Sequence, residues 1–397
     1  MPSLITADSN NNLIIPKDGA IIPIIIGDGV GPDIWRATEP VLAKAARLSG
    51  FTLEFVEALA GQAAHDRTGQ YLPDDTLDTL KEYRVTLKGP LATPVGGGIR
   101  SLNVAIRQAL DLYACVRPIK WVTGVPSPVK APEKADMILF RENTEDVYAG
   151  LEWADHSEEA DGLISYLGEK LKAKVRPGSA VGIKPMSEFG SKRLIKMAMD
   201  WALKENRPSL TLVHKGNIMK YTEGAFRKWG YELAEKEYPG KTVTEASWDG
   251  KDTSRLVIKD RIADNMFMQS LLRPEEYSVL AMPNLNGDYL SDCLAAQIGG
   301  LGMAPGANLG DGLAVFEATH GTAPKYAGED KVNPSSMILS GAFMLEYLGW
   351  KEAADRIHKA LETVVAKGVL TYDLARQVGV SPVKCSAFGQ ALADSMG

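Results

Sequence analysis

The sequence predicts an α/β protein built from two α/β units, and three observations support this prediction. The chain has 397 residues, which is too long for one small core and enough for two substantial domains. An isoleucine-rich strand at residues 21–26 leads through a glycine turn into an amphipathic helix at residues 33–48. Strands and helices then alternate along the chain, which is typical of this fold class.

The remaining elements follow from short apolar runs and from helical periodicity. Strands are predicted at residues 52–57, 85–88, 181–183, 209–213 and 279–282. Helices are predicted at residues 101–113, 188–205, 222–238, 335–348 and 351–367. The strand at 279–282 is interpreted as the last central strand, and the glycine-rich segment 299–312 as irregular.

Composition argues against several classes of function. The net charge is −6, whereas a surface for nucleic acid or anionic lipid needs a basic excess. The three cysteines lie far apart in the sequence and form no C-x-x-C pair, which indicates a reducing compartment. Residues 1–12 do not resemble a secretory signal, and no apolar run is long enough to cross a bilayer. We therefore expect a soluble, cytoplasmic protein without a nucleic-acid or membrane partner.

A group of arginines predicts a site for a substrate with several carboxylates. Ser101 and Asn103 follow a glycine-rich loop and are expected in the first turn of a helix, where backbone N–H groups and the helix dipole favour an anion. Guanidinium groups bind carboxylates through two parallel hydrogen bonds. The alternative is that these are surface arginines paired with acidic residues. The group and its loop comprise Gly96, Gly97, Gly98, Arg100, Arg107, Arg117 and Arg141.

Paired aspartates predict a metal site. Asp288 and Asp292 follow the strand at 279–282 and are four residues apart at the start of a helix, so they share one face. Two carboxylates of this kind suit Mg²⁺ or Mn²⁺. Asp260 and Asp264 have the same spacing and are interpreted as a second pair that favours metal binding. The alternative is that one aspartate of a pair caps a helix and the other is a solvated charge.

Two glycine-containing segments have features that could indicate nucleotide binding. The turn at residues 27–31 has the spacing G-x-G-x-G, which does not match the Rossmann pattern, so we interpret it as a tight turn that needs positive φ. The segment from His320 to Tyr326, continued by residues 331–334, suits a loop that wraps a nucleotide. An ordinary surface turn is the alternative.

Lys215 and Tyr148 are candidates for proton transfer. Lys215 follows a buried strand, where a lysine can lose part of its hydration and act as a base, although a solvated lysine is more common there. Tyr148 is equally compatible with a packing role. His65, His156 and His358 show no ligand spacing and are interpreted as structural. From the residues alone we predict a metal-assisted enzyme that acts on a polycarboxylate.

Five stretches, taken together, resemble a known family. Residues 89–103, 141–150, 214–224, 284–297 and 316–333 are similar to the decarboxylating β-hydroxyacid dehydrogenases of the isocitrate/isopropylmalate dehydrogenase family. Within that family they resemble the bacterial, homodimeric, NADP-dependent isocitrate dehydrogenases. The resemblance runs from about residue 13 to the C-terminus. It departs at Ala92, where the family pattern has a threonine, and residues 246–255 are shorter than in the relatives.

The resemblance implies an isopropylmalate-dehydrogenase-like α/β fold with a cofactor site that is not of the Rossmann type. It implies a large domain from residues 1–112 and 299–397, a small domain from 113–145 and 191–298, and an intertwining clasp at 146–190. It further implies a homodimer with shared active sites. The implied reaction converts isocitrate to 2-oxoglutarate and CO₂ in the tricarboxylic acid cycle, with NADP and with Mg²⁺ or Mn²⁺.

The resemblance also implies a role for each site residue. The catalytic acid/base pair is Tyr148 with Lys215, and Lys215 comes from the other subunit. Isocitrate is bound by Ser101, Asn103, Arg107, Arg117 and Arg141. The metal is bound by Asp288 and Asp292, together with Asp264 from the other subunit. NADP is bound by Thr93, His320, Gly321, Thr322, Ala323, Pro324, Lys325, Tyr326, Asn333, Tyr372 and Arg376, and by Arg273 from the other subunit.

Two alternatives stay open at this point. Within the fold, 3-isopropylmalate or homoisocitrate dehydrogenase is the nearest alternative. Ser101 and Asn103 favour isocitrate, because they offer hydrogen bonds for a third carboxylate where isopropylmalate needs apolar contacts. A non-catalytic regulatory subunit is the alternative from another class, although such subunits usually lose catalytic positions that are present here.

Overall fold

The structure is a computed structural model that describes residues 1–93 and 101–397. Gly96, Gly97, Gly98 and Arg100, which were assigned to the loop and the arginine group, lie outside the described residues. In the part of the chain that the structure describes, no helix is both long enough and apolar enough to span a membrane.

The N-terminal part of the chain forms the predicted strand–turn–helix unit. Helix α1 has Pro32 in its first turn and packs the face that contains Ile34 and Val41 into the core. The elements are β1 (Thr6–Ala7), β2 (Leu13–Ile14), β3 (Gly19–Ile25), α1 (Gly31–Leu48), β4 (Thr52–Glu57), α2 (Gln62–Thr68), α3 (Asp74–Tyr83) and β5 (Val85–Lys88).

The middle of the chain contains more strands than the sequence predicted. Strands β6, β7 and β12 were missed because each mixes charged residues into an apolar run. The elements are α4 (Leu102–Ala109), β6 (Ala114–Lys120), β7 (Asp136–Glu142), β8 (Glu152–Trp153), α5 (Glu158–Leu171), β9 (Val181–Gly182), α6 (Glu188–Lys204), β10 (Ser209–His214), α7 (Glu223–Glu237), β11 (Thr242–Thr244), β12 (Leu256–Ile262), α8 (Ala263–Leu272), β13 (Val279–Met282) and α9 (Asn284–Gln297).

The C-terminal part corrects one prediction. The segment 299–312 is irregular only in part and β13 is not the last central strand, because residues 305–310 form a strand of an antiparallel hairpin that pairs Gly310 with Leu313. The neighbouring backbone lies close to this strand: a Cβ on Gly310 would lie 2.6 Å from the Asp111 carbonyl oxygen. The elements are β14 (Pro305–Gly310), β15 (Leu313–Ala318), α10 (Ser335–Tyr347), α11 (Lys351–Ala366), α12 (Tyr372–Val378) and α13 (Cys385–Ser395).

Eleven strands of the described residues form one mixed sheet in the order β11-β12-β10-β13-β7-β6-β14-β15-β5-β3-β4. The pairs β7–β6, β6–β14 and β14–β15 are antiparallel, and the others are parallel. Strands from residues 1–112 and 299–397 occupy one end, and strands from 113–145 and 191–298 occupy the other. The division into two domains stays a prediction, and it would separate the sheet between β6 and β14.

Helices cover both faces of the sheet. The largest apolar cluster includes residues of α1, α6, α10, α11 and α13, whereas two smaller clusters lie under α8 and α9 and under α3 and α4. The short antiparallel ladder of β8 with β9 and the helix α5 lie outside the large sheet. Helix α5 buries only Ala160, and its Tyr166 and Leu171 are exposed.

Candidate active site

Residues from both ends of the sheet meet around one buried carboxylate, that of Glu317 in β15. The Lys88 ammonium lies 2.8 Å from it and the Arg107 guanidinium 2.9 Å, and Arg117 is 4.0 Å away. Lys88 and Glu317 are only 3% and 4% exposed. Burial alone would raise the pKa of Glu317, but the charges of Lys88, Arg107 and Arg117 outweigh burial and hold the pKa well below its usual range.

The interpretation of Arg107 and Arg117 as surface residues is therefore wrong. Both side chains are largely buried, with 13% and 11% of their surface exposed. One glutamate neutralises three neighbouring cations only in part, so this region retains positive charge. A pocket of this kind attracts an anionic ligand.

Ser101 and Asn103 lie at the start of α4, as predicted. Ser101 is the N-cap residue, and the Asn103 side-chain oxygen accepts a hydrogen bond of 2.9 Å from Lys88. The helix ends at Ala109 rather than continuing to residue 113. The chain turns there because Asp111 has a φ of 45°, which no helix accommodates.

A second cluster joins β7, the short 3₁₀ turn Asp146–Ala149 and α9. Arg141 is buried, donates a 2.8 Å hydrogen bond to the side chain of Asn284, and forms an ion pair with Asp288. The Tyr148 hydroxyl donates to the other carboxylate oxygen of Asp288, and the Arg141 guanidinium lies 4.8 Å from the centre of the Tyr148 ring. Burial and the bond to Asp288 raise the pKa of Tyr148, which therefore keeps its proton at neutral pH.

Asp292 lies one helical turn after Asp288 on α9 and completes the predicted pair. Among the described residues, no group donates a hydrogen bond to its side chain. Burial raises the pKa of Asp292, and the charge of Arg117 offsets this only in part. A divalent cation would relieve this unfavourable burial, so the two carboxylates fit a metal ion.

Asp288 and Asp292 are two carboxylates only. Within the described residues, no group of three or more His, Cys, Asp or Glu side chains could hold a metal ion.

Lys215 and Asp264 form an ion pair with each other. Their side chains are 32% and 71% exposed. Within the part of the chain that the structure describes, neither side chain forms a hydrogen bond or ion pair with Tyr148, Asp288 or Asp292. Both are accessible to another molecule.

The interpretation of Asp260 and Asp264 as a second helical pair is wrong. Asp260 lies in β12 and Asp264 in α8, because the strand ends at Ile262, so the two do not share a helix face. The Asp260 carboxylate is 3.2 Å from His214 and accepts a 2.7 Å hydrogen bond from Tyr231. Asp260 is therefore paired with other side chains of its own chain. Its four-residue spacing to Asp264 does not indicate a metal site.

A cavity of about 700 Å³ lies beside the loop from His320 to Tyr326. Burial lowers the pKa of His320, so its ring is neutral at physiological pH. Asn333 donates a 3.0 Å hydrogen bond to Asp373 and thereby joins the segment before α10 to the first turn of α12 at the edge of the cavity. The lining includes Val30, Gly299, Gly300, Gly302, His320, Gly321, Ala323, Asn333, Tyr372, Asp373 and Arg376.

The loop presents aromatic rings and a cation next to this cavity. The ring centroids of Tyr326 and Tyr372 are 5.5 Å apart, and the Lys331 ammonium lies 5.2 Å and 5.4 Å from them. Lys325 is exposed in the short turn Pro324–Tyr326. Thr322 and Pro324 belong to the same loop.

Six predicted cofactor residues do not line this cavity. Four of them, Thr322, Pro324, Lys325 and Tyr326, belong to the loop beside it. Thr93 is exposed, next to the residues that the structure does not describe. Arg273 follows α8 and lies 3.6 Å from Glu276.

The glycine turn at residues 27–31 is a tight turn, as predicted. Gly27 and Gly29 have φ values of 87° and 59°. A Cβ on Gly29 would lie 2.1 Å from the Thr322 carbonyl oxygen, which also accepts a 2.9 Å hydrogen bond from the Val30 backbone. The turn therefore packs against the 320–326 loop at Thr322 and supports it.

Sequence reasoning missed four contributors to these clusters. Lys88 and Glu317 are single charged residues within otherwise apolar strands, and that pattern was the available signal. Gly299, Gly300 and Gly302 looked like part of an irregular connection, although all three line the cavity. Asp373 carried no signal, because it resembles an ordinary acidic residue in the first turn of a helix.

Comparison with known proteins identifies what this arrangement resembles. The family model described as isocitrate/isopropylmalate dehydrogenase matches residues 21–392. The chain is 55% identical to the isocitrate dehydrogenase [NADP] of Archaeoglobus fulgidus over 98% of this chain and 95% of that protein. It is 51% identical to the protein of the same name from Staphylococcus epidermidis, over 97% of both chains.

Solved structures give the same result. The crystal structure of isocitrate dehydrogenase from Methylococcus capsulatus superimposes with a TM-score of 0.80 at 38% identity, covering 95% of this chain and 99% of that one. The TT0538 protein from Thermus thermophilus also gives a TM-score of 0.80, at 34% identity, and covers 99% of this chain and 72% of that one. The predicted isopropylmalate-dehydrogenase-like α/β fold is therefore confirmed.

Proposed function

The chain belongs to the isocitrate/isopropylmalate dehydrogenase family, and on that premise we propose that it oxidises and decarboxylates isocitrate to 2-oxoglutarate and CO₂. NADP is the hydride acceptor, and the reaction is that of the tricarboxylic acid cycle. The names and high identity of the relatives from Archaeoglobus fulgidus and Staphylococcus epidermidis support this choice within the family.

The observation that carries the proposal is the juxtaposition of buried arginines with a protonated tyrosine and two carboxylates. Arg107 and Arg117 share Glu317, and Arg141 and Tyr148 share Asp288. Isocitrate has three carboxylates, and three guanidinium groups can bind them in a fixed geometry. Ser101 and Asn103 add hydrogen-bonding groups at the start of α4.

The cofactors supply the chemistry that side chains lack. When bound, Mg²⁺ or Mn²⁺ lowers the pKa of the C2 hydroxyl and polarises the carbonyl formed there, while NADP accepts the hydride. Asp288 and Asp292 would hold the metal, with Asp264 of the partner subunit as a third carboxylate. The 320–326 loop, Asn333, Tyr372 and Arg376 would hold the nucleotide beside the cavity.

Two side chains carry out the proton transfers. Lys215 of the partner subunit takes the proton of the C2 hydroxyl as hydride leaves C2. After CO₂ has left the β-carbon, Tyr148 donates its proton to the enolate that remains. The position of the Tyr148 hydroxyl beside Asp288 and Arg141 supports this role, because a proton donor must lie next to the bound substrate.

A homodimer with shared active sites is part of this proposal. Lys215 and Asp264 are accessible on the surface of one chain, where they can reach a second subunit. Large apolar side chains are exposed in the same regions and in the segment 146–190, which we propose as the clasp. They include Val147, Leu151, Ile183, Ile218, Tyr221, Met268, Leu271 and Leu272.

We also propose a cytoplasmic location. Cys115, Cys293 and Cys385 are free thiols, and two of them are buried. Free cysteines persist in a reducing compartment.

A steady-state assay tests the proposed function. The purified protein is assayed with isocitrate and NADP or NAD, with and without Mg²⁺, and with 3-isopropylmalate and homoisocitrate as competing substrates. We expect metal-dependent NADPH formation with isocitrate as the preferred substrate. Preference for either competing substrate, or absence of turnover with every substrate, would reject the assignment.

A further inference from the structure

A buried cluster of charged residues lies outside the substrate and cofactor clusters and consists of Asp146, Lys184 and Glu223. Asp146 and Glu223 are 1% and 0% exposed. The Lys184 ammonium forms an ion pair with Asp146 and lies 3.0 Å from a carboxylate oxygen of Glu223. Buried charges are costly unless well paired, so removing the shared cation leaves two buried carboxylates without compensation.

Asp146 fixes the turn that contains Tyr148. It begins that turn with a φ of 69°, which is unfavourable for a residue with a side chain. Its carboxylate accepts hydrogen bonds from the backbone of Val147 at 2.7 Å and of Leu285 at 3.0 Å. Asp146 thereby joins the Tyr148 turn to the first turn of α9, the helix that contains Asp288.

Glu223 fixes the loop that contains Lys215. One of its carboxylate oxygens accepts a hydrogen bond from the Lys215 backbone N–H and another, of 2.8 Å, from the Asn286 side chain. Asn286 also belongs to the first turn of α9. The same buried cluster therefore positions the segments of both proposed proton-transfer residues.

We propose that Lys184 is a positioning residue. Through Asp146 and Glu223 it fixes the positions of the segments that contain Tyr148 and Lys215. This inference rests on the proposed function, in which Tyr148 acts in its own subunit's site and Lys215 in the partner's site. Each cluster consequently serves two active sites, and the Lys184 ammonium itself touches neither substrate nor cofactor.

The first test compares Lys184→Met with Lys184→Arg. We expect Lys184→Met to lower kcat on the order of a hundredfold, which is the usual effect of misplacing catalytic groups by about 1 Å. The KM for isocitrate should change little, because the cluster makes no described contact with Arg107, Arg117 or Arg141. Lys184→Arg, which keeps the charge, should recover most of the lost kcat.

The matched control is Lys192→Met. Lys192 also contacts two carboxylates, those of Glu188 and Glu232, but on the outer surface of α6. It should leave kcat unchanged. Glu223→Gln is a second variant that keeps the shape of the side chain, and we expect it to have a reduced kcat. A normal kcat in both Lys184→Met and Glu223→Gln would overturn the proposal.

A heterodimer experiment tests the coupling of the two sites. In a dimer of one Lys184→Met and one unmodified subunit, each site contains one displaced group, so activity should fall below a tenth. A dimer of one Tyr148→Phe and one unmodified subunit should retain half of the activity, because one site is intact. Half activity in the Lys184→Met heterodimer would reject the coupling.

The dimer of Lys215→Met with Tyr148→Phe, prepared in parallel, distinguishes failure of the cluster proposal from failure of the proposed function. Activity in this dimer together with half activity in the Lys184→Met heterodimer means that the cluster proposal fails and the proposed function stands. No activity in it means that the assignment of Lys215 to the partner's site, on which the cluster proposal rests, is wrong.

Discussion

Ser101 is the N-cap residue of α4, two residues before the Asn103 side chain that accepts from Lys88. In the proposed function its hydroxyl donates a hydrogen bond to a substrate carboxylate, and loss of that bond costs about 0.5–1.5 kcal/mol. A negative charge at the same place would repel a substrate carboxylate, by about 4 kcal/mol for charges 4 Å apart at an effective dielectric constant of 20.

We therefore expect Ser101→Ala to keep measurable activity with a raised KM for isocitrate, and Ser101→Asp to be nearly inactive. Steady-state kinetics measures both, and NADP titration of Ser101→Asp is the control for intact cofactor binding. Similar kcat/KM values in the two variants would contradict the electrostatic explanation.

Glu317 allows a prediction about stability. Its pKa in the folded protein is below the ordinary value of 4.5, so its contribution to stability is present above that pH and is lost as the pH falls through the lowered pKa. Glu317→Gln should lower the free energy of unfolding at pH 7 by about 3–5 kcal/mol, because Lys88 and Arg107 lose their buried counter-charge.

Denaturant unfolding between pH 7 and pH 3 checks this prediction. The variant should lose less additional stability on acidification than the unmodified protein. Glu329→Gln, a change at an exposed glutamate that lies 4.0 Å from Lys331, is the control. Parallel acid profiles for the protein and Glu317→Gln would show that Glu317 does not contribute.

At the scale of elements, the predicted strands and helices that follow one clear period agree with the structure, as at β4, β5, α6 and α10. The predictions that failed concern strands whose formation depends on contacts with neighbouring parts of the chain. Strand β14 lacks β-branched residues because it packs closely against other backbone, and β6 and β7 contain Arg117 and Arg141. Candidate residues could be selected from the sequence, and the single charges of Lys88 and Glu317 in apolar strands were a signal, but their pairing with each other and with Arg107 could be recognised only from the structure.

The 320–326 loop carries the prediction for cofactor preference. A lysine at position 325 attracts a ribose 2′-phosphate, whereas an aspartate at this position would bind the ribose 2′-hydroxyl and repel the phosphate. We expect a strong preference for NADP that Lys325→Asp with Tyr326→Ile weakens sharply. The ratio of kcat/KM for NADP and NAD measures it, and equal ratios in the protein and the double variant would contradict it.

At the scale of the whole molecule, the proposed function takes Lys215 and Asp264 of each site from the partner subunit, so we expect a single subunit to be inactive. Mixing inactive Lys215→Met with inactive Tyr148→Phe subunits should restore activity, because one of the two sites in each heterodimer contains every group. Activity and native mass measured together test this. Heterodimers that form but stay inactive would show that Lys215 does not act across the interface.

The position of β14 and β15 in the sheet has a consequence for synthesis on the ribosome. These late strands pair with β6 and β5, so both of those strands have an open edge until residue 318 has been added. At 5–20 residues per second the interval after β6 lasts roughly 10–40 s. During it, the exposed edges can pair with other nascent chains, and this exposure ends when the last two strands join the two halves of the sheet.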